Sequence, residues 1–169
     1  MGKIHMIFGP QGAGKSTHAL ALAKATGGVR FSIDEWMGAL YGSDAPQPLN
    51  IDWVTERVQR CERRIWATAA EIARNGGVVI LDLGFTRIAS RHATRALAQA
   101  EGLAMDSHYV TAPHDLRRRR VLARNQEKGA TFAFEVTPMM FDFMENEFEP
   151  ATQAELQSCK VIGLTPDGL

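Results

Sequence analysis

The sequence predicts an α/β fold built on a parallel sheet, and three observations carry that prediction. Short apolar runs alternate with longer helical stretches along the whole chain. The run Val78-Val79-Ile80-Leu81 is apolar at every position, as a strand covered on both faces must be. Glycines close the helical stretches at Gly27-Gly28, Gly76-Gly77, Gly102 and Gly129. Strands separated by helices pair in parallel through right-handed crossovers.

The elements follow in order. Lys3 to Phe8 is a buried strand, Gly9 to Gly14 a loop, and Lys15 to Ala25 a helix rich in alanine and leucine. Val29 to Ile33 is a second strand, followed by a helix or turn from Asp34 to Leu40. Residues 42–50 hold two prolines and read as a loop. Val54, Val58, Cys61, Ile65 and Ile72 then recur at helical spacing within a long helix, Asp52 to Arg74. Asn75-Gly76-Gly77 stops it before the strand Val78 to Leu81. Thr86 to Glu101 is a helix and Met105 to Val110 a strand. Asp115 to Lys128 is an arginine-rich helix, and Thr137-Pro138 opens another that ends near Pro150, with proline at its first position. Lys160 to Leu164 is a weak last strand.

The chain has 169 residues, enough for one domain, residues 1–169. Hydrophobic residues make up 45% and charged residues 22%, a balance that excludes a fibrous or disordered protein. No apolar run is long enough to span a membrane. The first residues run straight into the glycine loop, leaving no space for a signal peptide, and two distant cysteines, Cys61 and Cys159, suggest no disulfide framework. A reducing cytoplasm is the expected setting. Charge is balanced overall but not locally: residues 57–124 hold thirteen arginines against six acids, and residues 125–169 two lysines against eight acids. A local basic excess suits a small polyphosphate better than a nucleic-acid duplex.

Gly9-Pro10-Gln11-Gly12-Ala13-Gly14-Lys15-Ser16 matches G-x-x-x-x-G-K-[ST], with a strand before it and a helix after it. Glycines let such a loop wrap phosphates with its amides pointing inward, and the helix start adds partial positive charge. This implies a nucleotide's phosphate chain, with Lys15 on the outer phosphates, Ser16 on Mg²⁺ and Thr17 near the α-phosphate. Asp82, after Val78-Val79-Ile80-Leu81, is the expected second metal-side carboxylate, or a turn cap.

Three features favour phosphoryl transfer to a hydroxyl. Asp34 closes the second strand, at the sheet edge where ligands bind; it can accept the hydroxyl proton, or cap the helix that follows. Arg117, Arg120 and Arg124 share one helix face, where an arginine could close over the γ-phosphate, or the face could be solvated. Arg118 and Arg119 point elsewhere. No guanine-reading Asn-Lys-x-Asp segment occurs, and Leu83-Gly84 follows Asp82 where a water-polarising Glu would stand in an ATPase.

In these motifs the sequence resembles the small P-loop kinases grouped with zeta-toxin, chloramphenicol phosphotransferase and polynucleotide 5′-kinase proteins, also known as AAA family ATPases. The resemblance rests on the phosphate loop, Asp34-Glu35 after a strand, Val79-Ile80-Leu81-Asp82, Arg120-x-x-x-Arg124-Asn125, and Pro138 with Phe141 and Phe148-Glu149-Pro150. It implies a three-layer P-loop NTPase with a five-stranded parallel sheet of order 2-3-1-4-5, nucleoside-kinase-like. It further implies ATP as donor, Asp34 as general base, and Arg124, with Arg120 beside it, on a lid spanning residues 124–136. Similar polynucleotide kinases carry an arginine three residues after the base, where this sequence has Met37. That favours an uncharged or cationic small-molecule acceptor over nucleic acid. The alternatives are a nucleic-acid 5′-hydroxyl or sugar-nucleotide acceptor, and a nucleotide-dependent switch.

Trp36 and Tyr41 could face the acceptor, while Trp53 and Trp66 read as core. On the helix from Pro138, the Met and Phe side chains read as core and Asp142, Glu145, Glu147 and Glu149 as solvated. The histidines, His5, His18, His92, His108 and His114, show no ligand spacing, so zinc is not expected.

Overall fold

The structure is a computed structural model that describes residues 2–48, 50–127 and 135–163. Five strands form one sheet: β1 (Lys3–Phe8), β2 (Val29–Ser32), β3 (Val78–Asp82), β4 (Ala104–Val110) and β5 (Lys160–Ile162). All pairs are parallel, in the order β2-β3-β1-β4-β5. The expected three-layer architecture and strand order are therefore present.

The helices are α1 (Lys15–Thr26), α2 (Ile33–Tyr41), α3 (Ile51–Arg74), α4 (Ile88–Ala100), α5 (His114–Glu127), α6 (Pro138–Glu147) and α7 (Gln153–Ser158). None of them is long and apolar enough to cross a membrane. Much of the expected lid, residues 128–134, lies outside the described residues, as does Leu164, where the last strand was expected to end.

Period-two alternation along β1 sorts its side chains between two cores. Ile4, Met6 and Phe8 pack with Cys61, Ile65, Ala69 and Ala73 of α3, whereas Ile7 packs with Ile80, Val110 and Ala19 of α1. The stripe read along the long helix is the one it buries.

Two boundaries depart from expectation in ways that matter. The second strand ends at Ser32, so Asp34 stands in the first turn of α2. Ser32 is the cap: its hydroxyl accepts from the Glu35 amide at 3.4 Å, which removes that duty from Asp34. Helix α7 was not expected. Its signal is present in Thr152-Gln153-Ala154-Glu155, a capping box whose two reciprocal bonds both form.

Glu155 also anchors the only fully buried ion pair among the described residues. Arg91 Nε donates to it at 2.7 Å and Nη2 at 2.9 Å, while Nη1 donates to the Phe85 and Glu149 carbonyls. The guanidinium lies over the Phe8 ring, 4.8 Å from its centre. It thus ties α4 to the chain after β3 and to the turn before α7. Hydrogen bonding from Arg91, aided by the Thr152 amide, outweighs burial and holds the Glu155 carboxyl down to about 2.

A carboxylate depressed in this way stabilises the fold above its unfolded range and loses that contribution as pH falls through its folded value. Glu155→Gln should therefore cost about 3 kcal/mol at pH 7, and the deficit should shrink toward zero as pH falls from 5 to 2. Urea unfolding across that range checks it. A deficit independent of pH would mean that packing, not the ion pair, sets the loss.

Candidate active site

Because every strand runs the same way, all carboxyl ends meet at one edge of the sheet, and the candidate site is built there. β1 hands over to the glycine loop and α1. Gly12 and Gly14 have φ of 77° and 99°, which side-chain-bearing residues rarely adopt. A Cβ on Gly12 would also stand 2.6 Å from the Arg117 carbonyl oxygen, so α5 packs directly on the loop. No side chain caps α1 at Gly14, which leaves its first amides available to an anion.

Lys15 folds back so that its Nζ donates to the Pro10 carbonyl at 3.0 Å. Enclosure by the loop pushes its ammonium down to about 8, against the pull of Asp82 and Asp34, and Arg124 and Arg117 push it the same way. Ser16 and Thr17 line the same cleft.

Ser32 and Asp82 are register partners on β2 and β3, and Asp34 lies two residues beyond Ser32. Asp34 and Asp82 therefore face one cleft with Lys15, Ser16 and Arg124. Asp34 is exposed at the cleft mouth, yet the surrounding protein withholds enough water to raise its carboxyl pKa. The charge on Asp82 raises it further, and Lys15, Arg124 and Arg30 oppose both.

Arg30 was not anticipated. Its Nε and Nη2 both donate to Asp82 Oδ2, at 3.1 and 2.7 Å, and Nη1 donates to Glu35 at 2.6 Å. A charged residue in the otherwise uncharged strand Val29-Arg30-Phe31-Ser32 was its sequence signal, since a charge in a buried strand requires a partner.

The arginine helix divides its labour differently from expectation. Arg124 alone of the three lines this cleft, and its Nε is buried with no hydrogen-bond partner among the described residues. Arg117 is buried structure: it donates to the Gln11 carbonyl at 3.1 Å, to the Ala112 carbonyl at 2.9 Å, and with both terminal nitrogens to Glu145 at 2.5 Å. Arg120 is exposed and borders a second groove, on the far side of Gly14 and Thr17, with His18, Pro113 and Gly163.

The reading of α6 is also corrected. Phe141 is fully buried, but Met139 and Phe143 are 81% and 62% exposed, and Phe143, Met144 and Phe148 form an apolar wall of the cleft. The loop closing β3 places Gly84 there, and α6 was needed to complete the enclosure. Asp142 is exposed, as expected, but the other three acids are partnered: Glu145 with Arg117, Glu147 with Arg87, and Glu149, just past the helix, accepting from the Ile88 amide at 2.6 Å. Trp36 and Tyr41 pack against the α3-side core, as does Trp66, which also donates to Glu101 at 3.0 Å. Trp53 carries the Arg57 guanidinium 3.9 Å from its ring centre.

A family model described as an AAA domain matches residues 4–151. The chain belongs to that family. No curated protein matches it. Its backbone is similar to that of the Mycobacterium tuberculosis APS kinase solved with AMPPNP and APS, at a TM-score of 0.65 and 17% identity, covering 98% of this chain and 89% of that one. It is similar also to an unliganded sugar kinase from Janibacter, at a TM-score of 0.64 and 14% identity, covering 97% and 85%. The fold is thus that of the small P-loop kinases.

The charges around Asp34 give a direct test of this geometry. Arg30→Met removes the partner of Asp82 and should raise the Asp34 titration midpoint further, whereas Asp82→Asn should lower it. Carboxyl-carbon NMR titration reads both, and two shifts in the same direction would contradict the arrangement.

Proposed function

We propose that this AAA-domain protein is an ATP-dependent phosphotransferase that moves the γ-phosphate onto a hydroxyl of a small molecule. The observation that carries the reading is the sharing of one cleft by the phosphate loop and Asp34. A cradle alone would serve any nucleotide-binding protein, but a carboxylate beside it, with raised proton affinity, suits proton abstraction from an alcohol.

Loop amides and the Lys15 ammonium hold the outer phosphates. A carboxylate oxygen of Asp34 takes the acceptor's hydroxyl proton as the acceptor oxygen bonds to the γ-phosphorus, the bridging P–O bond breaks and ADP leaves. Arg124, which lines the cleft, neutralises charge on the transferred group. The nucleoside extends toward the groove beside Arg120 and Pro113. The donor set fits Mg²⁺: Ser16 and Asp82 are hard oxygen donors in the same cleft, and Arg30 engages only Oδ2 of Asp82. Bound there, Mg²⁺ would supply charge neutralisation on the phosphates.

The acceptor end is bordered by Asp34, Phe143, Met144 and Phe148, while Met37, which takes the sequence place of the arginine found in similar polynucleotide kinases, packs against the α3-side core. The cleft opens to solvent and is lined by both charged and apolar side chains, which suits a triphosphate tail beside a small-molecule acceptor.

Two substitutions separate the roles. Asp34→Asn should lower kcat by about 10²–10⁴-fold with ATP binding retained, and Lys15→Ala should abolish ATP binding. Steady-state assays with γ-labelled ATP against hydroxyl compounds, paired with calorimetry, read both; full turnover by Asp34→Asn would remove the base.

Lys15 adds a proton linkage. A lysine near 8 in the free protein becomes charged against phosphate, so ATP binding at pH 9 should take up close to one proton, and at pH 6.5 none. Calorimetry in buffers of differing ionisation enthalpy measures this, and Lys15→Arg should abolish the uptake.

A further inference from the structure

Across the sheet from α3, one patch of the α1-side core is polar. Strand register pairs His5 with Asp106 and Ile7 with His108, so alternation brings His5, Asp106 and His108 onto the same face. The helix α1 adds His18. His5 and His108 are buried, at 6% and 3% exposure, while their neighbours Ile7, Ile80, Val110 and Ala19 are apolar. His5 Nδ1 lies 3.1 Å from His108 Nε2, and His108 Nδ1 lies 3.0 Å from His18 Nε2. One ligand atom from each of His5, Asp106 and His108 falls within 4.8 Å of the others.

We propose that His5 Nδ1, His108 Nε2 and an Asp106 carboxylate oxygen form a binding site for a divalent transition-metal ion of the zinc class, separate from the nucleotide cleft. Two imidazoles and a carboxylate are the donor set of an open tetrahedral zinc site, with water in the fourth position. Zinc bonds of about 2.0–2.1 Å put neighbouring donors about 3.3 Å apart, close to the spacing the two rings already have. The ion takes the place of the hydrogen shared between those rings, which moves to the outer nitrogen of its own imidazole, so no net proton is released by the pair.

The third ring supports the same assignment. With Nε2 of His108 on the ion, its Nδ1 carries the hydrogen and donates to His18 Nε2. A ligating histidine oriented through its other nitrogen is the usual support of such a site. Asp106 is presented from the opposite side by Lys3 at 2.8 Å and Lys160 at 3.5 Å. Both lysines are largely exposed, at 42% and 63%, so each can turn into solvent when the ion takes the carboxylate. Nothing in the sequence spacing exposed this cluster, because its members lie on β1, α1 and β4 and meet only through sheet order.

Tag-free full-length protein, without nucleotide, is titrated with Zn²⁺ by calorimetry and with Co²⁺ by visible absorption. The expected result is one equivalent bound, with Co²⁺ giving the strong d–d bands of tetrahedral coordination. Asp106→Asn, whose carboxylate is at the surface, should weaken binding at least tenfold without unfolding the chain, and His5→Gln should do the same. His18→Gln should weaken it about tenfold while leaving the Co²⁺ spectrum tetrahedral. No saturable uptake by the wild type, or uptake equal in Asp106→Asn and His5→Gln, overturns the site. Octahedral Co²⁺ bands overturn it as well. Failure here leaves the kinase reading intact, since that reading is tested by ATP binding and turnover.

Discussion

The fold and its cleft depend on the guanidinium of Arg117. It bonds the carbonyl of Gln11 in the phosphate loop, the carbonyl of Ala112 just after β4, and the carboxylate of Glu145 on α6. One buried cation thus fixes the loop against the sheet and sets the helix that walls the cleft. Glycine makes the loop possible but does not hold it, because a chain free to adopt positive φ is free to leave it. The restraint comes from α5, whose backbone approaches Gly12 too closely for any Cβ. Glu145 is held low in its titration by Arg117, so its carboxylate stays ionised throughout the neutral range.

A second buried arginine does for the other half of the molecule what Arg117 does for the loop. Arg91 collects carbonyls from the turn after β3 and from the segment before α7, with Glu155 neutralising it. The two clamps grip the approaches to the cleft from opposite sides: Arg117 holds α6 at Glu145, and Arg91 holds the chain shortly after α6 at Glu149. Phe143 and Phe148 can then remain at the cleft wall. Phe141, packed with Val121 and Val136 and flanked by the partly buried Met144, anchors α6 by apolar burial.

The parallel sheet was legible because it rests on local signals, apolar runs and glycine stops, whereas its order came from the family resemblance carried chiefly by the phosphate loop. The loop residues Gly9 through Thr17 could be placed for the same reason. What escaped was set by pairing at long range. Arg30 read as one more base until Asp82 appeared beside it, 52 positions away in sequence. Arg117 read only as a member of a face shared with Arg120 and Arg124, either turned to phosphate or solvated, because periodicity cannot say which member of a face points inward. Helix α6 read as core because its apolar content is high, yet a helix at a cleft mouth may keep that content on an open face. The cluster of His5, His18 and His108 was invisible for a simpler reason: spacing rules detect groups within one segment, and these lie on β1, α1 and β4.

Charge in the cleft is arranged to be incomplete. Lys15, Arg30 and Arg124 stand against Asp34 and Asp82, but Arg30 is spent on Asp82 and Glu35. That leaves Lys15 and Arg124 beside a carboxylate whose ionisation is already penalised. Lys15 is driven toward its neutral form and Asp34 toward its protonated form by the same cause, loss of water. Only the first departure is relieved by an anion. A polyphosphate in the loop would supply the negative charge that Lys15 and Arg124 lack, and would hold the ammonium charged. Under the proposed function the same anion would add to the charge of Asp82 that already raises Asp34. Pairing separates the two aspartates: Arg30 bonds Asp82 through Nε and Nη2, whereas Asp34 has no such partner among the described residues, and the proposed division into a metal-side carboxylate and a base rests on that difference.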